Sequence, residues 1–246
     1  MPLKTAEGFL LRAHSVGEAD QILVFLTEND GKLRGLAHSS RRSRKRFGGA
    51  LQLLSRVRFS YFESERRDLA RIDQCDLVHP FFWLREDLRT AGYLSYVAEL
   101  AEEFSREKQE EQPFYRLLGA TLAAVEAGLD PAWAARYFEL WTLRLHGLLP
   151  DLAACTRCEG ALGESPLYAP AQHALMCGRC ASKESGPRVP SAALAHLRAL
   201  LRRPPTGAAG PSDLLDSCEG LLQEMLTGFT ERPFRSLRVL REMGVR

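Results

Sequence analysis

Along the first third of the chain, apolar residues come in short runs or alternate with polar ones. After His79-Pro80 they recur every three or four residues. The first pattern predicts strands and the second helices, because side chains repeat with a period of 2 on a strand and 3.6 on a helix. Residues 8–13 (GFLLRA) and 21–27 (QILVFLT) are strand candidates. Asn29-Asp30-Gly31 follows the second as a hairpin signal, so residues 32–38 form the returning strand. Residues 56–62 alternate cleanly, with Val57, Phe59 and Tyr61 on one face and Arg56, Arg58 and Ser60 on the other. Residues 69–77 make a fifth strand, and a short helix over about 49–54 is expected between strands three and four. Five strands with a helix after the third is the pattern of an oligonucleotide-binding (OB) fold β-barrel. An SH3-like barrel or a plain meander fits the same periodicity.

The helical part opens with Leu84, Leu88, Ala91, Ala98, Ala101 and Phe104 on one face. Residues 113–127 carry Phe114, Leu117, Leu118, Leu122 and Val125 at helical spacing. Asp130-Pro131 is an N-cap followed by a first-turn proline. The helix it starts, with Trp133, Tyr137, Phe138, Leu140, Trp141 and Leu145, is apolar on more than one face, which places it at the centre of a bundle. Residues 191–203, 212–229 and 234–243 predict three more helices, and residues 203–211 (RPPTGAAGP) a connector. The expected class is α+β: a β domain over 1–79, then an all-helical domain over 80–246.

Charge sharpens this picture. The net charge of the 246-residue chain is only +2, but residues 1–79 hold 14 Lys/Arg against 10 Asp/Glu, and residues 80–150 hold 7 against 11. Five of the six residues Arg41, Arg42, Ser43, Arg44, Lys45 and Arg46 are basic. Cations crowded on one loop repel each other, whereas a polyanion would release counterions on binding them. A solvated basic turn is the alternative reading. Arg34, Arg56 and Arg58 join the loop as candidate nucleic-acid contacts, since strands can present them on the same face. Phe47 is a candidate stacking residue that could equally be core. Arg232, Arg235, Arg238 and Arg241 recur every three residues, which a solvated helix face explains.

Cys155-x2-Cys158 and Cys177-x2-Cys180 have the spacing of a four-cysteine zinc site. The intervening chain, through Leu167-Tyr168 and Ala174-Leu175, predicts a hairpin that brings the pairs together, so a metal-binding insertion is expected at about 151–186. Four thiolates leave no open coordination position, which makes a single structural Zn²⁺ the expected cofactor. His173 is an alternative ligand within the hairpin. Cys75 and Cys218 have no partner in sequence and read as buried packing residues.

No run approaches the ~18 apolar residues of a membrane span, and the first residues lack a signal-peptide pattern. A cytoplasmic protein with reduced thiols is expected. The chain has no G-x-x-x-x-G-K-[ST], G-x-S-x-G or H-E-x-x-H. Its histidines, His14, His38, His79, His146, His173 and His196, are scattered. Nothing in the pattern argues for catalysis.

Several segments resemble the RecO family of bacterial recombination mediators, which act in DNA repair. They are Gly17-Glu18-Ala19-Asp20-Gln21-Ile22-Leu23 running into Leu26-Thr27-Glu28, then Gly31-Lys32-Leu33. Ala37 and the basic loop follow, leading into Gly49-Ala50-Leu51-Gln52, and Arg235-Ser236-Leu237 comes late in the chain. Where the family has an alanine, a basic residue and a glycine before the loop, this chain reads Ala37-His38-Ser39-Ser40. The resemblance implies an N-terminal OB domain, a helical domain with a cysteine knuckle, and a non-enzymatic role in the bacterial cytoplasm near the nucleoid. It also implies binding of single- and double-stranded DNA and annealing of complementary strands. The implied partners are RecR and single-strand binding protein, with help in loading the RecA recombinase. An RNA-binding module, a passive nucleic-acid-binding zinc module and a zinc-containing enzyme remain the alternatives from the residues themselves.

Overall fold

The structure, a computed structural model, describes residues 2–63, 68–81 and 86–244. Leu84, which the helical periodicity included, lies outside them. Compactness divides the chain into Met1–Gly119 with Val239–Arg246, and Ala120–Arg238. The switch from strand to helix at His79-Pro80 is therefore a change of secondary structure inside the first unit.

The first unit is built on a closed barrel of β1 (Leu3–Val16), β2 (Asp20–Thr27), β3 (Gly31–Ala37), β4 (Arg56–Phe62) and β5 (Ala70–His79), in the order β1-β2-β3-β5-β4. Neighbours are antiparallel except β3 and β5, which run parallel over Gly35↔Ala70 to Ala37↔Ile72. Closure gives every strand of the barrel a neighbour on both sides. The alternation read for β4 holds: Val57, Phe59 and Tyr61 point inward with Leu10, Leu23, Phe25 and Ile72, and the Phe25 and Phe59 rings stack at 4.2 Å. Between β2 and β3 the turn closes as its sequence predicts. Thr27 Oγ1 donates to the Gly31 carbonyl and accepts the Asp30 N–H, and Gly31 takes φ +61°. β1 is longer than its apolar run, because its polar ends still find ladder partners on β2 and β4.

The helix expected at 49–54 lies elsewhere. Helix α1 spans Arg44–Phe47, on the basic run itself, and ends where Gly48 turns to φ +44°. Residues 49–54 stay irregular, and their C-terminal end is drawn into the ladder beside β1. The Leu54 N–H donates to the Leu10 carbonyl at 2.7 Å, and the Leu10 N–H donates to the Ser55 carbonyl at 3.0 Å. Phe47 is 1% exposed and belongs to the barrel core with Ala50, so it is not a stacking platform. Two helices complete this unit. α2 (Leu88–Phe104) is capped by Asp87, whose carboxylate accepts the Thr90 N–H, and the first part of α3 (Gln112–Glu126) sets Tyr115 5.0 Å from Phe9 of β1.

The second unit is centred on α4 (Pro131–Leu145), buried almost all round as its pattern implies. Asp130 caps it, accepting the Ala132 and Trp133 N–H groups at 2.9 and 3.3 Å. Inside, Arg136 grips Glu139 at 2.5 and 2.6 Å and also pairs with Glu219 of α6 (Ser212–Thr230). This unit also holds a hairpin of β6 (Leu167–Ala169) and β7 (Ala174–Met176), α5 (Ser191–Leu200) and 3-10 turns at Pro170–Gln172 and Pro205–Gly207, and α7 (Arg235–Glu242) begins in it and ends in the first unit. α7 buries Leu237 and Leu240. No helix among the described residues is long and apolar enough to cross a membrane.

Candidate nucleic-acid interface and metal centre

The basic loop leaves β3 through a left-handed turn at Ser39, φ +54°. Asp20, the first residue of β2, stabilises that turn: Oδ1 accepts the Ser39 N–H at 2.8 Å and Oδ2 meets His38 Nδ1 at 2.9 Å. These two contacts, the Ser39 N–H first, hold the Asp20 carboxyl below the usual carboxylate range. The Arg41 N–H donates to the Ala19 carbonyl at 3.1 Å, and Ser40 Oγ donates to Gln21 Oε1 at 2.9 Å.

The six residues of the run do not act alike. Arg41 and Arg42 are exposed, with single contacts at 3.2 Å to the Glu18 carbonyl and the Glu18 carboxylate. Arg44 and Lys45 are exposed, and their side chains have no partner among the described residues. Arg46 turns inward. It donates to the His38 carbonyl at 2.6 Å, to Ser43 Oγ at 3.2 Å and to the Asp73 carbonyl at 3.5 Å, and lies over the Phe47 ring. Arg46 thus braces the loop, while Arg41, Arg42, Arg44 and Lys45 face solvent.

The strand arginines sit in a different electrostatic setting. Arg56 and Arg58 share one carboxylate, Glu7 of β1, at 2.5 and 3.3 Å. Arg34 pairs with Glu107 at 3.3 Å. Arg34 also belongs to a group that periodicity did not single out. Register aligns Val24 of β2 with Arg12 of β1 and Arg34 of β3, and Ile22 with His14 and Leu36. These residues, except Leu36, line a cleft of about 300 Å³ with Lys32, Glu102 and Glu107. Arg12 Nε donates to Glu102 Oε2 at 2.7 Å, and Lys32 Nζ donates to the Glu102 carbonyl at 2.9 Å. The even positions of β2 and β3 could have flagged this face, but only the register shows that the rows meet.

In the second unit the four cysteines converge. Their sulfurs all lie within 4.8 Å of one another, with Cys158 and Cys177 Sγ 3.9 Å apart. Four sulfurs each about 2.3 Å from a zinc ion would stand about 3.8 Å apart, so the donor set fits a tetrahedral ion. Two tight turns aim the thiols. In the first, the Glu159 N–H donates to the Cys155 carbonyl at 2.8 Å and Glu159 takes φ +56°; in the second, the Ala181 N–H donates to the Cys177 carbonyl at 3.0 Å. The predicted hairpin forms as β6 and β7, and the Thr156 N–H ties the first turn to the Leu175 carbonyl at 2.9 Å. Arg157 clamps the two turns, donating to the Cys180 carbonyl at 2.8 Å and to Glu184 at 2.7 Å.

Burial alone would raise the Cys155 thiol, but N–H donors from Cys177, Cys158 and Arg157 outweigh it and bring the group down to about 6. The neighbouring sulfurs, Cys158 first, push Cys180 up to about 12. A cation at the centre would favour thiolates at all four positions. His173 is not in the cluster. It takes a left-handed turn between β6 and β7, and its ring stacks on Phe229 at 4.4 Å. Cys75 and Cys218 are buried packing residues whose thiols burial pushes up to about 12.

Residues 1–81 match the family Recombination protein O N terminal, and residues 85–238 match Recombination protein O C terminal. The chain belongs to the RecO family. A DNA repair protein RecO from Anaeromyxobacter dehalogenans (strain 2CP-C) is 37% identical over 244 residues, covering 96% of this chain and 95% of the relative. One from Koribacter versatilis (strain Ellin345) is 35% identical over 212 residues, covering 85% and 84%. One from Myxococcus xanthus (strain DK1622) is 30% identical over 240 residues, covering 97% of each chain. Membership places this RecO-family chain in DNA repair and recombination.

Proposed function

We propose that this protein is a non-enzymatic recombination mediator that binds single- and double-stranded DNA and anneals complementary strands. In this reading the barrel is an OB-fold. Its strand order, with the parallel β3–β5 closure, supports that assignment. The observation that carries the reading is the outward set Arg41, Arg42, Arg44 and Lys45, held away from a closed barrel with little internal neutralisation. Such cations bind phosphates without reading bases, which leaves bases free to pair. The knuckle takes one structural Zn²⁺ on Cys155, Cys158, Cys177 and Cys180. The ion would cross-link two turns and supply no open position for chemistry. The protein acts in the bacterial cytoplasm, with RecR and single-strand binding protein as partners, and helps place RecA on coated single strands.

The test is a titration of single-strand DNA, duplex DNA and RNA across a salt series, followed by annealing assays without nucleotide. Expected are binding to both DNA forms, with affinity falling as salt rises, and acceleration of annealing that salt suppresses. Binding with annealing at the spontaneous rate would reduce the protein to a passive module. Preference for RNA at matched salt would assign it to a different class.

A further inference from the structure

The turn at residues 17–19 and the start of β2 put two acids, Glu18 and Asp20, against a loop whose proposed ligand is a polyanion. Elementary electrostatics makes both unfavourable there, since like charges near a binding site repel the ligand. Their contacts separate them. The Glu18 carboxylate, 90% exposed, makes one 3.2 Å contact to Arg42. Asp20 makes two short contacts, at 2.8 Å to the Ser39 N–H and 2.9 Å to His38 Nδ1. Ser39 has φ +54°, a conformation that side-chain-bearing residues rarely adopt and that neighbouring structure must hold. The next turn grows from that residue: the Arg42 and Ser43 N–H groups both donate to the Ser39 carbonyl, at 3.1 and 3.0 Å. The direction of residues 41–45 therefore depends on Ser39, and Ser39 depends on Asp20.

We propose that Asp20 is a positioning residue for nucleic-acid binding, whose carboxylate fixes the left-handed turn at Ser39 and so aims Arg41, Arg42, Arg44 and Lys45 outward as one set. The inference rests on the reading of that loop as the nucleic-acid contact. It has an uncommon consequence: deleting a negative charge beside a polyanion site weakens binding. An ordered set of cations meets a phosphate backbone without first being ordered, and a released turn adds that entropy to the cost of binding.

The test measures affinity of the full-length protein for a single-strand oligonucleotide in a salt series, with hydrogen exchange on the same samples. Asp20→Ala is expected to bind about five-fold more weakly, the equivalent of one lost hydrogen bond in aiming the loop. Asp20→Asn keeps an oxygen acceptor for Ser39 and is expected to stay within about two-fold of the unmodified protein. Glu18→Gln removes the same charge without the turn and is expected to bind equally or more tightly. Ser39→Gly added to Asp20→Ala is expected to recover affinity, because glycine holds the left-handed turn without strain. Exchange should quicken at residues 39–43 alone.

Asp20→Ala binding as tightly as the unmodified protein, or more tightly, would overturn the proposal. So would loss of protection across the barrel strands, which would make Asp20 a stability residue. A variant with Arg41, Arg42, Arg44 and Lys45 changed to Gln separates the two ideas. If it binds normally, the loop is not the contact, while exchange at 39–43 still reports whether Asp20 orders the turn.

Discussion

In the knuckle, four sulfurs converge to within 4.8 Å of each other. In the basic loop, Arg41, Arg42, Arg44 and Lys45 are exposed, while Arg46 folds back onto the His38 and Asp73 carbonyls. Both regions crowd like groups into a few residues, and the direction of the side chains decides what they can bind. Converging donors enclose a small ion. Diverging donors need a partner as extended as themselves. The outer strands show a third outcome, in which Arg12, Arg34, Arg56 and Arg58 each meet a carboxylate of the same unit. Residue type is the same in loop and strand, yet the strand cations are partly spent before any ligand arrives.

The largest effect should follow from taking the proposed ion out of the convergent set. Metal analysis should find about one zinc per chain, and chelation should unfold the knuckle, since structural zinc in finger peptides contributes about 10–16 kcal/mol at neutral pH. Cys177→Ser should lower the melting temperature while leaving oligonucleotide affinity within about two-fold, because the divergent set is unchanged. A metal-free preparation with full thermal stability would break the comparison at its first term.

Next in size is neutralisation of the divergent set. Changing Arg41, Arg42, Arg44 and Lys45 to Gln should flatten the single-strand salt slope by about 0.7 per lost phosphate contact and weaken all sequences alike. Arg46→Gln separates bracing from binding. It should cost about 0.5–1.5 kcal/mol of stability through its lost hydrogen bonds to the His38 and Asp73 carbonyls, visible in chemical denaturation, with little change in slope. Equal loss of slope at Arg46 would show that it too faces the ligand.

The smallest effects are expected on the strands. Exposed ion pairs contribute about 0–1 kcal/mol, so Arg58→Gln should shift affinity by less than about three-fold. Glu102→Gln with Glu107→Gln should free Arg12 and Arg34 and strengthen binding by a similar factor, read in the same titration. Weaker binding in that double variant would mean that the carboxylates order the arginines and do not compete for them.

Much of this was legible because it is local. The inward row Val57, Phe59, Tyr61 follows from a period of 2, the turn at Gly31 from Asp-Gly chemistry, the start of α4 from Asp130-Pro131, and the cysteine turns from two x2 spacings. The helix that the periodicity predicts at 49–54 does not form, for a physical reason. Its apolar residues, Ala50 and Leu54, do reach the interior, but Leu54 and Ser55 spend their backbone groups on Leu10, far away in sequence. The RecO-type motif Gly17-Glu18-Ala19-Asp20 was visible as letters, while its work on residues 38–42 was not.

Short-range patterns in the sequence set most element types, the four-sulfur donor set and the concentration of positive charge on one loop. Each depends on residues a few positions apart, where covalent geometry limits the outcomes. Tertiary structure alone decided that β3 and β5 close the barrel in parallel, that Arg46 braces while Arg44 and Lys45 face solvent, and that Arg56 and Arg58 share Glu7. Those outcomes join positions tens of residues apart, and their energies depend on which carboxylates and carbonyls folding brings within reach of each cation.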